Sequence, residues 1–301
     1  VNPQAMRGMV GWTTRAAVAT TGGAGRTSAA VAVATGASAL PSLSYAEFHL
    51  VFVLPVLLGL AAVASYPLGN RPYAAPAGIA ILAVVALLYT TPWDNHLIAV
   101  GVWGYAEGAV LFRIWEAPIE EYLFFVLQPL VTSLWLCRLP AVTDADPIGD
   151  RDFGIPLGHH ALGLLGGGLV SAAGWLLVGQ YYYIGTLLLW AGPPLAIQWA
   201  FAWPVLWDLR RTLAVGVLVP TVYLWIVDRI AIAMGIWFFN PAYMTGLAVF
   251  GLPVEEMLFF LLTNVFLVQG LLLFWWVTDR WPAVLARWQG VTDRWGRATD
   301  G

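Results

Sequence analysis

The sequence predicts an all-α integral membrane fold of seven transmembrane helices, in which two parallel three-helix repeats (helices 1–3 and 5–7) are joined by helix 4. Three observations carry this expectation. Apolar residues make up 60% of the 301 positions and charged residues 10%, outside the range of water-soluble domains. Seven runs approach the roughly twenty apolar residues that a bilayer core demands. One phrase also occurs twice, as Pro118-Ile119-Glu120-Glu121-Tyr122-Leu123-Phe124-Phe125 and as Pro253-Val254-Glu255-Glu256-Met257-Leu258-Phe259-Phe260.

Taken in order, residues 1–44 are rich in Ala, Gly, Thr and Ser without helical periodicity and predict a mobile tail. The apolar stretch around Ala29–Ala34 is short for the core of a signal peptide. The seven-helix domain follows over 45–277, with expected spans Ala46–Tyr66, Ala74–Thr91, Pro118–Arg138, Gly158–Gly179, Tyr182–Trp203, Thr212–Ala233 and Phe250–Val277. Pro67, Pro72, Pro92, Pro140, Pro147, Pro156, Pro204 and Pro241 are expected to separate them. Residues 278–301 form a C-terminal tail in which Trp281, Trp288 and Trp295 follow Arg280, Arg287 and Arg294. That seven-residue rhythm suits either an interfacial helix or a solvated tail.

With the N-terminus outside, the inner loops and tail hold Arg71, Arg138, Arg151, Arg210, Arg211, Arg280 and Arg287, and the short outer loops little beyond Arg113. The excess of basic residues on the inner side predicts a multi-pass cell-membrane protein, N-terminus out and C-terminus in. Arg7, Arg15 and Arg26 run against this, but they lie far from the first helix.

The repeat is read from offsets. Glu120 and Glu255 are separated by 135 positions, Trp103 and Trp237 by 134, Asp94 and Asp228 by 134, and Tyr45 and Tyr183 by 138. Repeat 1 therefore covers about 45–138 and repeat 2 about 182–277, with a linker helix at 158–179. A shift of four helices is even, so both copies enter the membrane in the same direction. Both acidic pairs then stand at the outer ends of helices 3 and 7, with Asp94 and Asp228 beside them on helices 2 and 6.

Carboxylates at a membrane-helix end are costly, by up to roughly 2.5–3.5 kcal/mol per charge at mid-bilayer, and are functional candidates. Successive helix residues point about 100° apart. One glutamate of each pair is therefore expected to face a cavity and the other to cap its helix, in the first turn begun by Pro118 or Pro253. Local sequence leaves open which is which. Glu120, Glu121, Glu255, Glu256, Asp94 and Asp228 are the candidate acid–base groups. Trp103, Trp237, Phe124, Phe125, Phe259 and Phe260 are candidate substrate contacts, with lipid-facing or packing roles as alternatives.

Other classes are excluded by what the chain lacks. All fourteen basic residues are arginine, so no lysine Schiff base can form. The small net charge of −3 gives no reason to expect a nucleic-acid partner. The lone Cys137 builds neither a disulfide framework nor a thiolate site, and His49, His96, His159 and His160 match no metal spacing, so no metal is expected. Asp144, Asp146, Asp150 and Asp152 read as a hydrated acidic loop. The remaining rivals for intramembrane carboxylates are a proton- or ion-coupled transporter and, less well supported for want of metal-binding histidines, an intramembrane metalloprotease.

The doubled motif, with Trp93-Asp94-Asn95 and Val227-Asp228-Arg229 upstream, resembles the membrane lycopene cyclases of archaea, of fungal bifunctional carotenoid enzymes and of bacterial two-subunit cyclases. The likeness covers about Tyr45 to Val277. It implies isomerisation of lycopene to β-carotene through the singly cyclised γ-carotene, with lycopene or another carotenoid and the lipid bilayer as partners, and carotenoid-pathway enzymes as further ones. An acid protonates the terminal double bond, the neighbouring double bond closes the ring, and a base removes a ring proton. One glutamate of each pair would handle protons with Asp94 and Asp228 assisting, while Asn95, Arg229 and Asn264 orient carboxylates. No GxGxxG follows a strand pattern, so no bound cofactor is expected.

Overall fold

The computed structural model describes residues 43–64, 74–143, 148–149, 151–152, 154–282 and 285. Most of the N-terminal segment, Arg71, three of the four loop aspartates (Asp144, Asp146, Asp150) and Arg287, Trp288, Arg294 and Trp295 lie outside them. Among the described residues, seven helices are long and apolar enough to cross a membrane: α1 (Tyr45–Ala62), α2 (Ala74–Val100), α3 (Ile119–Leu136), α4 (Leu157–Leu177), α5 (Tyr182–Asp208), α6 (Arg210–Met234) and α7 (Val254–Asp279). This is a multi-pass membrane protein.

Several boundaries differ from expectation for a common reason. A proline breaks a soluble helix by removing one N–H and crowding the carbonyl four residues back. In lipid a helix tolerates the proline, and neighbouring side chains add hydrogen bonds around it. Thus α2 continues through Pro92 to Val100. Around that proline, Thr91 Oγ1 donates to Leu87 O at 2.6 Å and Asn95 Nδ2 to Thr91 O at 2.9 Å. The fifth helix does not stop at Trp203 either: it breaks at Ala202 (φ −163°, ψ 53°) and then resumes through Pro204 to Asp208. α1 opens on a reciprocal Ser44–Glu47 capping box and contains a π-helical turn at His49–Val53.

α3 and α7 are central. α3 packs against α1, α2, α6 and α7, and α7 against α2, α3, α5 and α6. Between them lies a buried polar cluster in which the Asn264 carbonyl oxygen accepts from Gln128 Nε2 (2.9 Å) and Thr132 Oγ1 (2.6 Å), while its amide donates to Thr221 Oγ1 (3.0 Å). The expected linker α4 lies on α5 so closely that a Cβ on Gly163 would sit 2.2 Å from the Trp199 carbonyl carbon. Small residues allow this approach where apolar side chains gain little by leaving lipid.

At one end of the bundle the chain forms three two-stranded pieces: β1 (Trp103–Tyr105), β2 (Arg113–Ile114), β3 (Ala117–Pro118), β4 (Trp237–Phe239), β5 (Ala248–Val249) and β6 (Leu252–Pro253). The hairpins β2–β3 and β5–β6 each precede a central helix, and their tips hold Trp115 (φ 58°) and Phe250 (φ 52°) at matched positions. β1 pairs antiparallel with β4, Trp103 opposite Phe239 and Tyr105 opposite Trp237. That strand pair joins the two segments that the sequence offsets match. At the other end, Arg151 makes a two-point bond to Asp208 (2.7 and 3.2 Å), and Arg280 donates to the carbonyls of Ile148, Gly149 and Trp276.

Candidate active site

Four carboxylates from four helices line one chamber: Asp94 on α2, Glu121 on α3, Asp228 on α6 and Glu256 on α7. Free space inside is only about 60 Å³, and its other walls are mainly aromatic, including Trp93, Trp103, Trp237, Phe124, Phe259 and Phe260. All six aromatic candidates named from the sequence line this space. β1 and β4 contribute Trp103, Trp237 and Phe239, so the strand pair forms part of its wall.

Each acidic pair is divided in the same way. The second glutamate faces the chamber and accepts a buried tyrosine hydroxyl: Tyr105 donates to Glu121, and Tyr183 to Glu256 at 2.5 Å. The Tyr45 hydroxyl also stands against Glu121. The first glutamate turns away, Glu120 accepting the Leu111 N–H at 2.9 Å and Glu255 the Thr245 N–H at 2.6 Å. This corrects the expectation of a helix cap. Pro118 and Pro253 are the N-caps, neither helix start has a side-chain cap, and the spare glutamate fastens the loop upstream instead. Proline supplies no N–H there, so a loop amide is the better donor for a buried carboxylate.

Donors to the chamber carboxylates differ between halves. Trp237 Nε1 donates to Asp228 at 3.0 Å, whereas Trp103 Nε1 donates to the Tyr105 hydroxyl at 3.2 Å. At Asp94, Oδ2 is buried with no donor within reach among the described residues. Tyr105 lies beyond the spans; burial first, then the neighbouring Glu121 and Asp94 carboxylates, holds its hydroxyl well above the usual phenol range. It therefore remains a proton-bearing donor to Glu121 at any working pH.

The three residues expected to orient carboxylates do other work. Asn95 Oδ1 accepts the N–H groups of Glu116 and Ala117, both at 2.9 Å, and Arg229 Nε donates to Phe250 O at 2.9 Å. Both residues clamp the hairpin of their own half, one as acceptor and one as donor. Asn264 serves the helix-packing cluster described above.

No three His, Cys, Asp or Glu side chains among the described residues form a metal-ligating group. The lycopene cyclase family model matches residues 46–137 and 180–278, one segment in each half of the chain. The chain belongs to the lycopene cyclase family. A lycopene beta-cyclase of Halobacterium salinarum is 48% identical over 241 residues, covering 79% of this chain and 98% of that protein. Bifunctional lycopene cyclase/phytoene synthases of Leptosphaeria maculans and Gibberella fujikuroi are each 35% identical, over 65% and 76% of this chain but 36% and 39% of their own lengths. No solved structure matches it.

Membership of the lycopene cyclase family removes the transporter and protease rivals. It also directs attention to residues that sequence reasoning passed over. Tyr45 and Tyr183 carry a signal in their matched offset, which aligns two helices but gives neither hydroxyl a role. Tyr105 has none, because Phe239 stands at its matched position. His49, buried in the π-helical turn, stacks on Tyr45 (4.7 Å between centroids) and on Phe124 (6.0 Å). A lone histidine in an apolar run announces no such placement.

Proposed function

We propose that this chain is a lycopene beta-cyclase, converting lycopene to β-carotene by way of γ-carotene in carotenoid biosynthesis, without redox chemistry. The observation that carries the reading is the convergence of Asp94, Glu121, Asp228 and Glu256 in one small aromatic chamber of a lycopene cyclase family member. Protonating an alkene needs a carboxylic acid shielded from water, and the cation that follows needs aromatic faces rather than water beside it. Trp93, Trp103, Trp237 and the phenylalanines supply those faces.

The roles follow from the donors. Asp94, whose Oδ2 accepts no hydrogen bond, carries the proton that is added to the terminal double bond. The adjacent double bond then attacks the tertiary cation, closing the six-membered ring. Glu256 or Glu121, each held as an acceptor by a tyrosine, takes the ring proton, and the proton returns to Asp94 within the chamber. One proton enters and one leaves, so the product is an isomer of the substrate. Asp228, held by Trp237, completes the cluster.

The two segments at about 45–138 and 182–277 are parallel repeats around the helix at 158–179, and the register of β1 with β4 supports a two-fold axis between them. The carboxylate end faces outward and the arginine-bearing end inward, with the N-terminus out and the C-terminus in. Other carotenoids with acyclic ends, and enzymes of the same pathway, are its further partners.

Expression in lycopene-accumulating cells, with chromatography of the pigments, tests the reading. β-Carotene with transient γ-carotene is expected. Unchanged lycopene beside well-inserted protein overturns it.

A further inference from the structure

The chamber of about 60 Å³ is too small for more than the tip of a long polyene, and a second cavity adjoins it. This one holds about 290 Å³ between α2, α3, α5 and α7, and it shares Phe124, Phe125 and Phe259 with the chamber. The two spaces therefore meet at these three aromatic residues. Val85 on α2 and Ile197 on α5 line the cavity and are also 51% and 68% exposed on the outer faces of their helices. The cavity thus reaches the surface sideways, between two helices at lipid depth.

The rim of that opening is built by proline chemistry. Pro194 has no N–H to give the Trp190 carbonyl, and the Tyr89 hydroxyl of α2 donates to it instead, at 2.7 Å. This clasp fixes α2 against α5 above the mouth without filling it. In the other half the Tyr223 hydroxyl donates to Phe52 O, an equivalent clasp between α6 and α1. Below it, Leu224 stands where the first half has Thr90, and Leu224 packs with Phe124, Phe125 and Phe260 in one buried cluster. A bulkier side chain thus fills that position in the second half.

We propose that the cavity between α2 and α5 is the arm that holds the apolar polyene shaft while one end of the molecule occupies the carboxylate chamber, and that substrate enters from the bilayer on this side alone. The inference rests on the cyclase reading and extends it to a route and a binding subsite. One arm and one chamber mean one ring per binding event. The monocyclic product must withdraw and turn round before its second end is cyclised, so it is released as a free intermediate.

The test compares Val85→Trp and Ile197→Trp, which obstruct the mouth, with Val219→Trp, the position matched to Val85 on the exposed face of α6. Thr90→Leu is a second way to close the arm, with the residue the chain already carries at Leu224. Lycopene consumption is measured per amount of membrane-inserted full-length protein, alongside thermal unfolding in detergent. A loss of about tenfold or more is expected for Val85→Trp, Ile197→Trp and Thr90→Leu at unchanged unfolding temperature, with Val219→Trp within twofold of the parent. Free γ-carotene is expected early in the time course of the parent. Full activity in properly folded mouth variants, or an equal loss in Val219→Trp, overturns the single arm while the cyclase reading stands. Lack of conversion by the parent itself overturns both.

Discussion

In the first half of the bundle, the Trp103 indole donates to the Tyr105 hydroxyl and that hydroxyl donates to Glu121; in the second, Trp237 donates directly to Asp228, and Phe239 stands where Tyr105 would be. The frames match closely: the hairpins have left-handed aromatic tips at Trp115 and Phe250, and the loops are fastened by Glu120 and Glu255. What differs is the supply of hydrogen-bond donors. A single Tyr-for-Phe difference diverts an indole N–H from an aspartate to a phenol, so Asp228 receives an indole N–H and Asp94 does not. Two similar frames can thus place four like groups in one chamber and still surround them with unequal sets of hydrogen-bond donors.

The sharpest way to break this comparison is inside the acidic pairs. At least one of Glu121→Gln and Glu256→Gln is expected to lower lycopene conversion by about 100-fold or more, the range for removing a general acid or base. Glu120→Gln and Glu255→Gln should keep rates within a few-fold and instead lower the thermal unfolding temperature in detergent. Equal losses at all four positions would refute the division.

Next in size is the contrast between aspartates. Asp94→Asn is expected to cost about 100-fold and Asp228→Asn about tenfold, since the second is already held by Trp237. The reverse order in pigment assays would transfer the proton-donor role to Asp228.

Tyr105→Phe makes the first half resemble the second. It should slow conversion by about tenfold, the worth of one well-placed hydrogen bond to a charged group, and Phe239→Tyr should leave the rate near that of the parent. An undiminished rate in Tyr105→Phe would show that the Trp103–Tyr105–Glu121 chain is structural.

The smallest effect on turnover belongs to the polar cluster between α3 and α7. Asn264→Leu strands the buried Gln128 and Thr132 and should destabilise the bundle by about 1–3 kcal/mol, read from unfolding in detergent. Turnover should scale with the folded fraction alone; a catalytic defect in fully folded protein would return Asn264 to the site.

Much of the fold was legible because it depends on quantities a single chain carries. The runs are apolar over bilayer length, and the motif offsets, 134 and 135 residues, survive in both copies. Prolines misled the boundaries at Pro92 and Pro204, since a breaker in water is tolerated in lipid when nearby side chains or a local break accommodate it. The hairpin bonds of Asn95 and Arg229 are not legible in the sequence for a related reason. Each sits one residue after a chamber aspartate, but one step along a helix turns a side chain by about 100°, here away from the acids and toward a hairpin.

By itself the sequence determined that seven helices are long and apolar enough to cross a membrane, that one acidic phrase recurs at a near-constant offset, and that acids gather at one end, because hydrophobic length and recurrence need no partner to be defined. Only the tertiary structure decided which glutamate of each pair looks inward, which tyrosines hold it, and that an apolar arm adjoins the chamber between α2 and α5. Those facts depend on the rotation of each helix against its neighbours. Rotation is settled by close packing among residues far apart in the chain, such as Tyr183 on Glu256 or Tyr89 on the carbonyl that Pro194 leaves free.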